Sequence, residues 1–193
     1  MGDTSYWFKR LKKYTSDKKL SDLTRNSDRV HLRISTITEA VDVWTNNNKK
    51  FEGAFTAFID CGKDRSQNYT TVSKPLDNNT ASKIFQILNS NKILVIPTDN
   101  KIAGWGQNGL DGTETLIEYS TPKDYYFKEY WSPYLFKELK EAQLIDTTEK
   151  QIWSLIHNKH FPNSLLSKGC VFETNGIQGI IIKPKQKKKK ASR

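Results

Sequence analysis

The sequence predicts an α+β domain: a mainly antiparallel sheet of about six to eight strands with three or four helices packed on one face. Three observations predict it. Several runs alternate apolar and polar residues at the period of a half-buried strand, as Val30, Leu32 and Ile34 do against His31, Arg33 and Ser35. Pairs that suit tight turns, Asn108-Gly109, Asp111-Gly112 and Asn175-Gly176, sit beside such runs. Other segments repeat apolar residues at helical spacing, for example Ile152, Leu155 and Ile156.

Taken in order, Trp7 to Leu20 carries a ragged apolar stripe with Lys and Arg opposite, which predicts a weak amphipathic helix. Arg29 to Thr36 and Phe51 to Asp60 alternate as strands, with Ala40 to Trp44 between them as a short strand or a helical turn. Tyr69 to Ser73 fits a returning hairpin partner. Thr80 to Ser90 reads as a short helix behind a Thr80 cap, and Ile93 to Ile96 as a buried strand that Pro97 ends. Thr113 to Ser120 and Tyr125 to Trp131 form a meander joined by Thr121-Pro-Lys-Asp124, which is turn chemistry. Tyr134 to Gln143 and Thr147 to Asn158 suit two helices. Cys170 to Thr174 and Ile177 to Ile182 close the domain as a hairpin around Asn175-Gly176.

The formal net charge of +10 looks like a nucleic-acid footprint until it is located along the chain. Residues 1–22 carry six Lys/Arg against three Asp, and residues 183–193 carry seven Lys/Arg and no acid. These segments account for all of the excess, so residues 23–182 are neutral overall. The organisation this suggests is a basic N-terminal segment (1–22), one α+β domain (23–182) and a solvated polybasic tail (183–193). Weak, non-specific attraction of nucleic acid or an anionic surface by Lys183–Arg193 is the contact such a tail favours. No window reaches the ~18 apolar residues of a membrane span, and no leader is evident, so a cytoplasmic protein is expected, or an exported one if a leader precedes this sequence. Cys61 and Cys170 read as two buried thiols, with one long-range disulfide the alternative after export.

Sites with chemistry are few. Asp111 and Glu118, seven residues apart on a strand-forming segment, fall on opposite faces; Asp111 suits a turn and Glu118 a cross-strand Lys such as Lys128. His157 and His160 share a helix face but lack a third ligand, which favours a helix C-terminal role over a metal. A Cys170 nucleophile served by His160 is disfavoured because Cys170 opens a strand expected to be buried. The glycines from Gly104 to Gly112 lead into a strand, not a helix, and so make no phosphate loop. No cofactor and no metal are expected.

The aromatic cluster is different. Alternation puts Tyr125, Phe127 and Trp131 on one face of their strand and Tyr126 and Tyr130 on the other. One face supplies core, and the other, with the loop at Trp105, is expected to be exposed. Trp105, Tyr126 and Tyr130, together with Trp131 at the end of the strand, are the candidate binding residues, amphipathic rings of the kind that dominate protein interfaces.

Trp105, Gly109-Leu-Asp-Gly112, Leu116-Ile-Glu118 and Tyr130-Trp-Ser-Pro133 together resemble a widespread group of uncharacterised bacterial proteins. Those proteins share a GLDG turn after a tryptophan, a following strand with Glu, and a W-S-P element. The resemblance spans about a sixth of the chain, rests on turn and packing residues, and implies a small bacterial protein, exported or lipid-anchored in some members.

These readings converge on a non-enzymatic binding or interaction protein with a protein partner, such as an inhibitor or immunity-type protein. The alternatives are a hydrolase or other enzyme with a scattered site, and a nucleic-acid accessory protein acting through its tails. Because the body is neutral, labelled single and double strands should bind no tighter than micromolar at physiological salt in fluorescence anisotropy, and deletion of both tails should abolish the binding.

Overall fold

Pairing the alternating runs side by side buries each on two faces, and the result is one six-stranded antiparallel sheet. The computed structural model describes residues 4–47, 49–60, 69–106, 112–160, 170–174 and 180–184. Its strands are β1 (Val30–Ser35), β2 (Glu39–Thr45), β3 (Glu52–Asp60), β4 (Tyr69–Pro75), β5 (Glu114–Ser120) and β6 (Tyr125–Trp131). They lie in the order β4-β3-β2-β1-β5-β6, with every neighbour antiparallel. Ala40 to Trp44, ambiguous in sequence, belongs to strand β2. A second, two-stranded sheet pairs β7 (Cys170–Thr174) with β8 (Ile180–Pro184), so the strand reaches Pro184 before the polybasic run. The Asn175-Gly176 turn lies outside the described residues.

Register decides what each face holds. Leu32 and Ile34 of β1 stand beside Val41 and Val43 of β2, Phe55 and Ala57 of β3 and Ile117 of β5 in the main core. Two helices cover this face. Helix α2 (Asn78–Ser90) buries Ala81, Ile84 and Leu88, and α3 (Lys140–His160) buries Ala142, Ile145, Ile152 and Ile156, both at helical spacing. The Asn91 side chain closes the pair by donating to Thr148 Oγ1 at 2.8 Å.

Helices cover both faces of the sheet, which corrects the one-sided expectation. Helix α1 (Thr4–Asp17) crosses the opposite face: Tyr14 Oη donates to the Thr36 carbonyl at 2.6 Å, and Phe8 rests against Tyr125 and Phe127. Lys18, just beyond α1, sits over the Tyr14 and Phe58 rings and donates to the Ile37 carbonyl. The ragged stripe of α1 reflects its target, a sheet face that is itself half polar.

Three local expectations are also corrected. Ile93–Val95 is a 3₁₀ turn rather than a strand; Lys92 enters it in the left-handed region, and Leu94 and Val95 point outward with no strand to pair against. The two helices expected between Tyr134 and Asn158 are a 3₁₀ turn at Pro133–Leu135 and the single helix α3. No Gly or Pro interrupts α3, and Thr148 returns its hydroxyl to the Leu144 carbonyl at 2.7 Å, so the polar stretch stays helical. Helix α2 is capped by Asp77 rather than Thr80: Asp77 Oδ1 accepts the Thr80 N–H at 2.8 Å, and Oδ2 accepts the Thr80 hydroxyl.

Gly109 to Asp111 lie outside the described residues, but Gly112 is described and its role is steric. Gly104 has a positive φ of 85°. A Cβ on Gly112 would fall 2.4 Å from Trp131 Nε1 and 2.5 Å from Ser132 Oγ. Gly112→Ala should therefore destabilise by ~1–3 kcal/mol through overpacking, read as a lower denaturant midpoint at unchanged slope.

Candidate functional site

The α1-side face of the sheet carries a row of charge. Arg33 of β1 is paired in register with Asp42 of β2 and Glu118 of β5, so the three side chains emerge side by side. The Arg33 side chain is fully buried. Its Nε donates to Asp42 Oδ1 at 2.8 Å and Nη2 lies 2.8 Å from the same oxygen; Nη1 donates to Glu118 Oε2 and to the Ser21 carbonyl at 3.1 Å, and Nη2 to Ser21 Oγ at 2.7 Å. Glu118 Oε1 accepts the Tyr125 hydroxyl at 2.9 Å. One position along β1, His31 carries Asp28 on Nδ1 (3.1 Å) and Asp42 on Nε2 (2.8 Å), and Trp44 stacks on its ring.

Burial works against the Arg33 charge, but Asp42 and Glu118 more than offset it and hold its pKa above the ordinary value. Burial also opposes ionisation of Asp42, where Arg33 prevails and the pKa falls; at Glu118 burial prevails and the pKa rises. Arg33 is thus matched chiefly to Asp42, with Glu118 bonded at one oxygen by Arg33 and at the other by Tyr125. The expected Glu118–Lys128 pair does not form: Glu118 is opposite Phe127, and Lys128 lies on the other face, donating to the Leu94 and Ile96 carbonyls.

Further along the same face, a groove of about 480 Å³ runs between α1 and β5–β6. Arg10 of α1 reaches Glu114 at 2.8 Å and Glu129 at 3.7 Å. Burial and a hydrogen bond to Glu114 push Glu129 up to about 8. The two carboxylates are bonded to each other and Arg10 lies over them, so the pair fastens α1 to the hairpin.

The aromatic candidates separate. Trp105 is buried, donates Nε1–H to the Trp131 carbonyl at 2.9 Å and packs on Tyr130 and Phe136. Tyr130 is fully buried, its hydroxyl on the Ile96 carbonyl at 3.1 Å. Both were expected at an exposed face; their end of β6 is closed by the 93–101 segment instead. Trp131 is half-buried against Phe136. Tyr126 is 56% exposed, stacks on Tyr119, and lies two residues along the same face from Lys128, whose ammonium meets the turn bearing Leu94 and the 74% exposed Val95.

Strand β6 is also an edge. The bonds Thr121 N–H to Asp124 O and Ser132 N–H to Thr113 O set the phase of the β5–β6 ladder, so odd-numbered residues of β6 turn their backbone groups outward. Thr98 satisfies those of Glu129, and Asp99 accepts the Trp131 N–H at 2.8 Å. Among the described residues nothing bonds the outward groups of Tyr125 and Phe127.

His157 meets Glu39 at 2.9 Å, which raises its pKa, and stacks on Trp153. The side chains of His160, Cys61 and Cys170, and all of Asp111, lie outside the described structure. Among the described residues no group of three or more His, Cys, Asp or Glu is placed to hold a metal ion, and no helix is long and apolar enough to cross a membrane. The chain matches no family model and no curated protein sequence.

Removing one partner of the buried network strands the others. Arg33→Met should destabilise by ~3–5 kcal/mol in equilibrium unfolding, because Asp42 and Glu118 stay buried without their cation. Glu129 gives a pH signature. Between the unfolded value of 4.5 and about 8, the folded state keeps a proton that the unfolded chain has released. Stability therefore falls as pH rises through that window. Glu129→Gln should raise the melting temperature at pH 8 and leave it unchanged at pH 4.

Proposed function

We propose that this chain is a non-enzymatic binding protein that takes a protein partner as an added strand along β6. The observation that carries this reading is the coincidence, at one sheet edge, of the open backbone groups of Tyr125 and Phe127 with the exposed side chains of Tyr126, Leu94 and Val95. An edge with unbonded N–H and C=O groups is a template for an incoming strand, and apolar side chains beside it supply the burial that makes pairing stable. Natural edges are usually blunted by charge, by proline or by a covering loop, as the Glu129 end of this strand is.

Charge indicates the kind of partner. The segments that frame the patch expose Lys92, Lys101 and Lys123, with Asp124 the exposed acid among them. An extended segment with alternating apolar residues and acidic flanks complements that surface. Inhibitors and immunity proteins act in this manner, by occupying a partner rather than transforming it.

Panning a displayed library of extended peptides on the full chain tests the reading. Selected peptides should alternate apolar and acidic residues and should protect the Tyr125 and Phe127 amides in NMR hydrogen exchange. Tyr126→Ala should weaken them about tenfold or more without changing the melting temperature. Selected peptides that leave those amides unprotected would contradict the proposal, and a concentration-dependent dimer protecting the same amides would reassign the edge to a second copy of this chain.

A further inference from the structure

At the other end of the sheet, away from β6, the described residues leave the α1-side face incompletely covered. A cleft of about 250 Å³ opens between the Lys19–Ser21 segment and strands β2 to β4. It exists because the residue at its centre is small: Ala54 stands in register between Asp42 and Pro75, flanked along β3 by Glu52 and Thr56. Trp44, half-buried and stacked on His31, lines one side. Thr56 and Ser73 line another, with Thr56 Oγ1 donating to Ser73 Oγ at 3.1 Å.

Asp42 also lines this cleft, although it is only 6% exposed. Every hydrogen bond to its carboxylate, from His31 and from Arg33, ends on Oδ1. Oδ2 has no protein partner among the described residues, so its lone pairs are open to a donor entering from the cleft. The cleft therefore presents an acceptor on a buried residue, a pair of hydroxyls able both to donate and to accept, the exposed Lys19 among its lining residues, and an indole.

We propose that this cleft binds a saccharide unit, either free or at the end of a glycan. A hydroxylated ring supplies donors for Asp42 Oδ2 and acceptors for Ser73 and Lys19, and its C–H face suits an indole. The volume lies just under the ~300–1,000 Å³ of clefts for drug-sized ligands, so it admits one small ring. Ionic ligands suit it less well. Arg33 makes four hydrogen bonds and an ion-pair contact within the protein and its side chain is fully buried, which leaves no free guanidinium for an anion, and Arg33 and His31 already face the Asp42 charge that a cation would seek.

Saturation-transfer NMR on the full chain tests this with the methyl glycosides of glucose, galactose, mannose and N-acetylglucosamine, with oligosaccharides ending in the same units, and with glycine and leucine as controls. At least one saccharide should receive saturation at its ring protons and compete with its own oligosaccharide. Transfer to the oligosaccharide alone would assign the site to a glycan terminus, and equal transfer to the monosaccharide glycoside would assign it to the free sugar. Ala54→Leu, which fills the cleft beside Asp42, should abolish transfer, with the melting temperature measured alongside to show that the variant is folded. Should that variant fail to fold, Ser73→Ala and Lys19→Gly carry the test, each expected to weaken binding several-fold; Lys19 already adopts a positive φ that glycine accepts. No transfer to any saccharide, equal transfer to the amino acids, or transfer that survives these substitutions would overturn the proposal. Occupancy of the β6 edge is measured separately by the amides of Tyr125 and Phe127, so either proposal can fail alone.

Discussion

Arg33 sits in the middle of the sheet, on a strand flanked by β2 and β5, and its charge is wholly enclosed. An ion taken out of water is tolerated only when every donor finds an acceptor, and here the acceptors come from three separate places: β2, β5 and the segment that follows α1. A one-residue slip of β1 would swing Arg33 into the Leu32–Ile34 core and leave Asp42 and Glu118 without a cation. What the network fixes is therefore register more than net stability, since desolvation offsets much of the attraction among its members. Ser21 matters for the same reason. By giving both its carbonyl and its hydroxyl to the guanidinium, it holds the segment after α1 against the sheet.

From that constraint follows the asymmetry of the two faces. One is apolar and packed by α2 and α3 in the ordinary way, with Ile84, Ile145, Ile152 and Ile156 all essentially inaccessible. The other is layered with ion pairs, hydroxyls and aromatic rings, and one helix of 14 residues is too small to cover it. Polar groups next to incomplete cover leave room for ligands, because hydrogen-bonding capacity exceeds what the fold consumes. Among the described residues both proposed surfaces lie where cover runs out: the cleft near β4, bordered by Lys19–Ser21, and the open half of the β6 edge, which the 93–101 segment stops short of.

Much of this was legible in the residues themselves. The β5–β6 hairpin was plain from strict alternation on either side of Thr121-Pro-Lys-Asp124, and β3 and α2 from their periodicities. Ile93 to Ile96 misled because β-branched composition reports a preference for pleated, half-buried surroundings; four residues between a left-handed Lys92 and Pro97 found no strand to pair with. Tyr134 to Gln143 and Thr147 to Asn158 read as two helices because the residues between and after them, Asp146-Thr147-Thr148, are polar, although the Thr148 hydroxyl is spent inside the single helix α3. The ion network was hidden for a different reason. His31, Arg33 and Ser35 announce a polar face, and a polar face reads as solvated until the helix over it is known. A signal was nevertheless present: Asp42 and Glu118 alternate with apolar residues in strands that pair with β1, so their charges fall opposite Arg33 once register is drawn. The aromatic cluster shows the converse limit. Tyr126 and Tyr130 share a face as alternation requires, yet one is outside and the other fully enclosed, because burial along a single strand depends on where a distant loop lands.

The enclosure of Arg33 is best tested by the exchange of its own guanidinium protons. With four hydrogen bonds inside the protein and its side chain fully buried, its Nε–H and Nη–H resonances should be resolved in nitrogen-edited NMR at neutral pH and should exchange as slowly as the amides of β1. Exchange as fast as that of a surface arginine such as Arg25 would show that water reaches the guanidinium, and the account of a sheet registered around a buried charge would be wrong.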